Sequence, residues 1–290
     1  MSIVGRQPRK STKTKTTARR KTTRRGSSFK RSNQSWIVRL FSRVPSWLLW
    51  LFGLSIAIAY IVFILQIVLH FSMPWKAQYG EVPEPGNYPV RGIDISHYQE
   101  DIDWNVLSSA TLNGHKLSFI IVKATEGVSI SDKYFKNNFK RARKNGYVRG
   151  AYHFYIPGRD AKMQADFFIS NVKLEKGDLP PVLDIEKHGG MSIQDLQGEL
   201  LEWLRVVKQH YGVNPIIYTN YAFKIKYLNT KDFDEYPFWI AHYYKDELEY
   251  DGPWIMWQYT DCGKVLGITG NVDCNVFNGT RDELDDLCIK

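Results

Sequence analysis

"WIMWQYTDCGKVLGITGNVDCNVFNG", residues 254–279, holds two strand-type runs, 254–263 and 270–279, with residues 264–269 between them. Parallel neighbours need a crossover of about a dozen residues or more. The spacing therefore predicts an antiparallel pair. The preceding run, "YPFWIAHYYK" (236–245), is also too close for a helical crossover and is expected to join the antiparallel set.

Upstream the pattern differs. Apolar, β-type runs occur at 91–96, 117–127, 147–157, 179–188 and 214–223. Between them helical periodicity recurs near 132–145, 160–173 and 192–212, the last opening at a Ser cap and closing at Gly212. Shorter helical turns are expected at 104–113 and 222–229. Strand–helix alternation implies βαβ units and a parallel sheet. The whole predicts an α/β fold: an irregular eight-stranded (β/α) barrel with helices mainly in the first five units and the last strands antiparallel. In such a barrel, functional residues gather at the C-terminal strand ends. An open doubly wound sheet is the alternative.

The net charge of +9 describes neither half of the chain. Residues 1–45 hold fourteen Lys and Arg and no acid, whereas residues 71–290 carry a net −5. The basic stretch has too few large apolar residues to offset the entropy of folding and reads as a disordered cytoplasmic tail. It contains no recognisable nucleic-acid module; its charge suits a topology signal that also touches anionic lipid.

Residues 47–69, "WLLWLFGLSIAIAYIVFILQIVL", are uncharged. As a helix they would extend about 35 Å at about 1.5 Å per residue, enough for a hydrocarbon core of about 30 Å. The run is longer than the core of a signal peptide, and no cleavage site follows it. The expected organisation is a tail over 1–45, a transmembrane helix over 46–70, a Pro/Gly linker over 71–88 and a barrel domain over 89–290. The positive-inside rule puts the N-terminus in the cytoplasm and the barrel in the periplasm or outside the cell.

The chemistry centres on "PVLDIEKHGG" (181–190). Alternation along a strand points Asp184 and Glu186 to the same side, at the exit into a loop. Two neighbouring carboxylates resist joint ionisation, so one keeps its proton to higher pH. An acid beside a charged partner is what glycosidic cleavage uses. Asp94 ends the first strand and Asp273 lies in the last, which a closed barrel makes neighbours. Aromatic residues sit at similar positions: Tyr152, Phe154, Tyr218, Trp239, Tyr243, Trp257 and Tyr259, as core packing or as faces for sugar rings. His97, His153 and His188 also fall near strand ends, open to lining the cleft, with satisfied structural roles the preferred account of each. The sequence has no G-x-S-x-G, H-E-x-x-H, P-loop or EF-hand spacing. Cys262 and Cys274 flank a short turn and are open to pairing or to staying reduced, and Cys288 is left over.

Together "GIDISHYQ", "KATEG", "GAYHF", "PVLDIE", "YTN", "WIAHY", "WQYT" and "GNVDCNVFNG" fall in order over residues 90 to 280. In that order they resemble the lysozymes (muramidases) of glycoside hydrolase family 25. The resemblance implies an irregular eight-stranded barrel and cleavage of the β-1,4 bond between N-acetylmuramic acid and N-acetylglucosamine in peptidoglycan, with no metal or organic cofactor. It makes Glu186 the general acid, Asp184 the carboxylate that orients the substrate's N-acetyl group, and Asp94 and Asp273 the remaining cleft acids. Tyr152 and Tyr218 align with cleft-lining tyrosines. Trp239 and Tyr243, in the family-like "WIAHY", are taken as further substrate contacts. Peptidoglycan strands and membrane lipid are the expected partners. The rival reading is an inactive wall-binding module using the same groove.

Overall fold

A computed structural model describes residues 45–72 and 84–290. The expectations for the basic tail and for most of the linker lie outside the described residues. The chain divides into two compact units, Met1–Phe71 and Ser72–Lys290. In the first, α1 (Ser46–Ser72) carries no acid in its first turn, and its segment Ser46–Gln66 is long and apolar enough to cross a membrane.

The second unit is a closed barrel of eight strands: β1 (Arg91–Ile95), β3 (His115–Glu126), β5 (Val148–Phe154), β6 (Val182–Asp184), β7 (Ile216–Asn220), β8 (Phe238–Ala241), β9 (Met256–Gly263) and β10 (Val272–Phe277). Neighbours follow chain order and β1 pairs with both β3 and β10, which closes the ring. Two short strands lie off it, β2 (Thr111–Leu112) and β4 (Ile130–Ser131), each antiparallel to β3. Helices α2 (Trp104–Leu107), α3 (Phe135–Lys144), α4 (Ala161–Asn171), α5 (Ile193–Tyr211) and α6 (Tyr221–Tyr227) follow the early strands, and α7 (Arg281–Leu287) follows β10.

Alternation sorts the side chains. Ile93, Ile95, Ile120, Val122, Ala151, Leu183, Ile217 and Ile240 face outward and pack with the helices, where α5 contributes Leu196, Leu200, Trp203, Leu204 and Val207. Phe119, Ile121, Val148, Val182, Ile216, Met256 and Phe277 fill the barrel, joined by Leu284 from α7 and Cys288 just after it. Gly92 is required here: a Cβ on it would lie 2.4 Å from the Phe119 ring. The α5 ends match the sequence signals. Ser192 Oγ accepts from Asp195 N at 3.1 Å, and Gly212 closes the helix at φ 74°.

The architecture is the one expected, with two local corrections. β10 runs antiparallel to β9 as predicted, and also to β1, but β8 is parallel to both β7 and β9. The stretch 242–255 returns the chain without a helix, and its Leu248, Tyr250 and Trp254 pack on the outer core instead. A β8 of four residues extends only about 13 Å at about 3.3 Å per residue, so fourteen linking residues suffice. The helix expected over 104–113 stops at Leu107, because Thr111 and Leu112 pair with His115 and Lys116. The sequence reading passed over α7, although Thr280 and Glu283 form a capping box at its start.

Candidate active site

At the C-terminal ends of the parallel strands the interior changes from apolar to charged. One cavity is lined by Asp94 from β1, Lys123 from β3, Tyr152 and Phe154 from β5, Asp184 and Glu186 from β6 and its exit, Tyr218 from β7, Trp239 from β8, Gln258 from β9 and Asp273 from β10, with Ser96, Tyr98 and Gln99 at one side. The four acids singled out in the sequence therefore meet, as do Tyr152, Tyr218 and Trp239. Tyr243 does not line the cavity; its hydroxyl reaches the site through Gln258 Oε1, at 2.7 Å.

Asp94 is the hub of a buried polar network. Its Oδ2 accepts from Gln258 Nε2 at 2.8 Å and from Asn275 Nδ2 at 2.7 Å. Gln258 Oε1 also accepts from the Tyr218 hydroxyl at 2.7 Å, and Asn275 Oδ1 accepts from Trp239 Nε1 at 2.8 Å. Each amide thus spends its donor on the carboxylate and its acceptor on a ring donor, which leaves one arrangement of the group.

The acids fall into two pairs. Burial pushes the Asp94 carboxyl up to about 6, against the pull of Asn275, Gln258 and a hydrogen bond with Asp273. Asp273 is pushed up to about 9, by burial first and then by the Asp94 charge. The amide donors favour charge on Asp94, so the proton rests on Asp273. Asp184 is held well above the usual carboxylate range by burial, with smaller contributions from Glu186 and Asp94, and Lys123 opposes the shift. Its Oδ1 has no protein partner. Glu186 stands exposed at the mouth. Its carboxyl is raised by desolvation and pulled back by Lys187 and then Lys123.

Lys123 is the cation lining this cavity. Its Nζ sits 2.6 Å from Glu126 Oε2 and 4.8 Å from the Phe154 ring centroid. Among the described residues, no group of three or more His, Cys, Asp and Glu side chains is arranged to hold a metal ion.

Several sequence candidates belong elsewhere. Trp257 and Tyr259 are buried in the outer core, on the opposite strand face from Gln258. His153 is fully buried there, bonded to Thr125 at 2.8 Å and stacked on Trp203. His97 is tied to Asp132 and His188 stacks on Tyr227. All three cysteines are free thiols. The sequence reading missed Lys123, Gln258 and Asn275. Each was signalled by a polar residue inside a strand-type apolar or aromatic run, and Asn275 lies two positions from Asp273 on the same face.

An acid-lined mouth on a closed α/β barrel is the arrangement of a glycoside hydrolase. The family model for "Glycosyl hydrolases family 25" matches residues 93–268. The chain is 44% identical to YegX of Escherichia coli strain K12 over 201 residues, 69% of this chain and 74% of that one. It is 34% identical to lysozyme M1 of Streptomyces globisporus, covering 67% of this chain and 70% of that protein. In structure it resembles the bacterial lysozyme from Streptomyces coelicolor, with a TM-score of 0.64 and 33% identity over 70% of this chain and 98% of that one. This chain belongs to glycosyl hydrolase family 25 and is a glycoside hydrolase.

Proposed function

We propose that the protein is a membrane-anchored muramidase that hydrolyses the β-1,4 bond between N-acetylmuramic acid and N-acetylglucosamine in peptidoglycan, with Glu186 as general acid. The observation that carries this reading is the meeting of four carboxylates from three strands in one cavity, with only Glu186 exposed at its mouth. A raised carboxyl there keeps a proton to deliver to the leaving glycosidic oxygen as the C1–O bond breaks. Asp184, its carboxyl raised by burial and one oxygen unpartnered, suits the substrate's N-acetyl amide. Asp94 supplies a fixed negative charge toward the cation that develops at C1. Tyr152, Tyr218 and Trp239 offer walls to the sugar rings.

Two features support anchoring: α1 is apolar over a membrane's thickness, and the fourteen cations precede it. In this reading residues 1–45 are cytoplasmic, 46–70 span the membrane, 71–88 are a spacer, and the barrel domain of 89–290 works in the periplasm or outside the cell. Protease added to spheroplasts should digest the barrel of the full chain and spare the tail; a protected barrel refutes the orientation. For the chemistry, Glu186→Gln keeps shape and removes the titrating group. Its release of reducing sugar from peptidoglycan should fall by about 10²–10⁴-fold; unchanged release would reject Glu186 as the acid.

A further inference from the structure

Tyr98 is the largest exposed side chain on the cavity wall. Its surface is 78% accessible, although it lines the same cavity as Asp94 and Glu186. Single exposed aromatics are common on protein surfaces and need no purpose. What sets this one apart is how firmly an otherwise exposed ring is held.

The turn His97–Gln99 carries Tyr98 directly off the end of β1. Ser96 Oγ accepts from Tyr98 N at 3.2 Å, and Ser96 N donates to Gln99 Oε1 at 2.8 Å, closing a capping box. Gln99 Nε2 in turn donates to Asn271 O at 3.1 Å, on the approach to β10. Behind Tyr98, the His97 ring lies 4.2 Å away at 32°. That ring cannot swing: Asp132 Oδ2 takes both His97 N at 2.8 Å and His97 Nδ1 at 2.9 Å. The turn ends at Glu100, a non-glycine residue at φ 50°, and so in a disfavoured backbone region of the kind that persists where the surroundings enforce it.

A ring backed on one face, with its backbone fixed and its other side open to the cleft, is preorganised to take a flat apolar partner. In a cleft built for glycans that partner is the C–H face of a pyranose. We infer that Tyr98 is a stacking platform for an N-acetylhexosamine residue of the glycan strand lying beyond the two sugars that flank the cleaved bond. This rests on the muramidase reading for the substrate's identity. It adds a subsite at the rim, so the enzyme reads strand length as well as the bond.

The test compares Tyr98→Ala, Tyr98→Phe and Tyr98→Trp in the full-length detergent-solubilised protein. Kinetics are measured on long peptidoglycan glycan strands and on the disaccharide that holds only the two sugars of the cleaved bond. Tyr98→Ala should raise KM on long strands by about 3–10-fold, the equivalent of one aromatic contact, with kcat changed less than about twofold. Phe and Trp should restore KM, and the disaccharide should barely respond. Equal losses on both substrates, or none on either, overturn the subsite. The same three variants are also made in a Glu186→Gln background and assayed for retention on insoluble peptidoglycan. There Tyr98→Ala should weaken binding while Phe and Trp hold it; indifference to the ring overturns the proposal whether or not the parent protein turns over. A wild-type protein that binds walls without solubilising them would instead sink the hydrolytic reading and leave the Tyr98 comparison decided by binding.

Discussion

Asn275 Nδ2 donates to Asp94 Oδ2 across 2.7 Å, between residues 181 positions apart that barrel closure makes neighbours. With Gln258 on the same oxygen, this bond favours the charged form of a carboxylate that is only 6% exposed.

Asn275→Ala removes one donor from Asp94 and leaves Trp239 Nε1 buried without its acceptor. Loss of a donor raises the Asp94 pKa above about 6. The acid limb of the pH–rate profile should therefore move to higher pH. The stranded indole should cost about 1–3 kcal/mol, a fall in Tm of about 3–10 °C for a domain this size. A limb that stays put in a folded variant would mean catalysis does not need Asp94 charged.

Asp273 predicts how stability depends on pH. Its folded-state pKa, about 9, lies above the ordinary value of 3.8, so between those limits the native state binds the extra proton. Stability contributed by that proton is complete below the unfolded pKa and is lost as pH rises through the folded one. Asp273→Asn should flatten the decline of Tm between pH 5 and pH 9 and raise Tm at pH 8.5 by about 2–8 °C. A wild-type Tm that climbs steadily across this window would contradict the proton's assignment to Asp273.

Lys187 is exposed, and after burial its charge is the main influence on Glu186, pulling the carboxyl pKa down. Lys187→Ala should let the Glu186 pKa rise. A general acid works only while protonated, so the alkaline limb of activity should shift to higher pH. The shift should shrink in about 1 M salt, where the Debye length is about 3 Å. An alkaline limb insensitive to this change at low salt would point to another group as the titrating acid.

Gly92→Ala tests the barrel filling. Its Cβ would sit 2.4 Å from the Phe119 ring, a rigid group buried inside the sheet. Overpacking of this kind costs about 1–3 kcal/mol, and Phe119→Leu in the same chain should recover part of it. Equal Tm values for wild type and Gly92→Ala would show the interior looser than the contact implies.

Much of this protein could be read from its residues. The β-type runs, the Ser192 and Gly212 bounds of α5, and the same-side pairing of Asp184 with Glu186 follow from local propensity and alternation, which act within a few residues. So did the meeting of Asp94 with Asp273, once closure was assumed. Other features needed the fold. The direction of β8 relative to β9 turned on fourteen linking residues, a length compatible with either hand of the chain's return. Barrel strands are buried on both faces, so hydrophobicity could not tell the inward Gln258 from the outward Trp257 and Tyr259.

Sequence alone determined where the main barrel strands and the longer helices form and which acids share a strand face, because those are short-range matters of backbone sterics and apolar spacing. Tertiary structure alone decided that Gln258 and Asn275 meet Asp94, that Asp273 keeps the proton, and that Tyr98 stands braced at the rim. Each depends on burial and on partners brought together only when the last strand closes on the first.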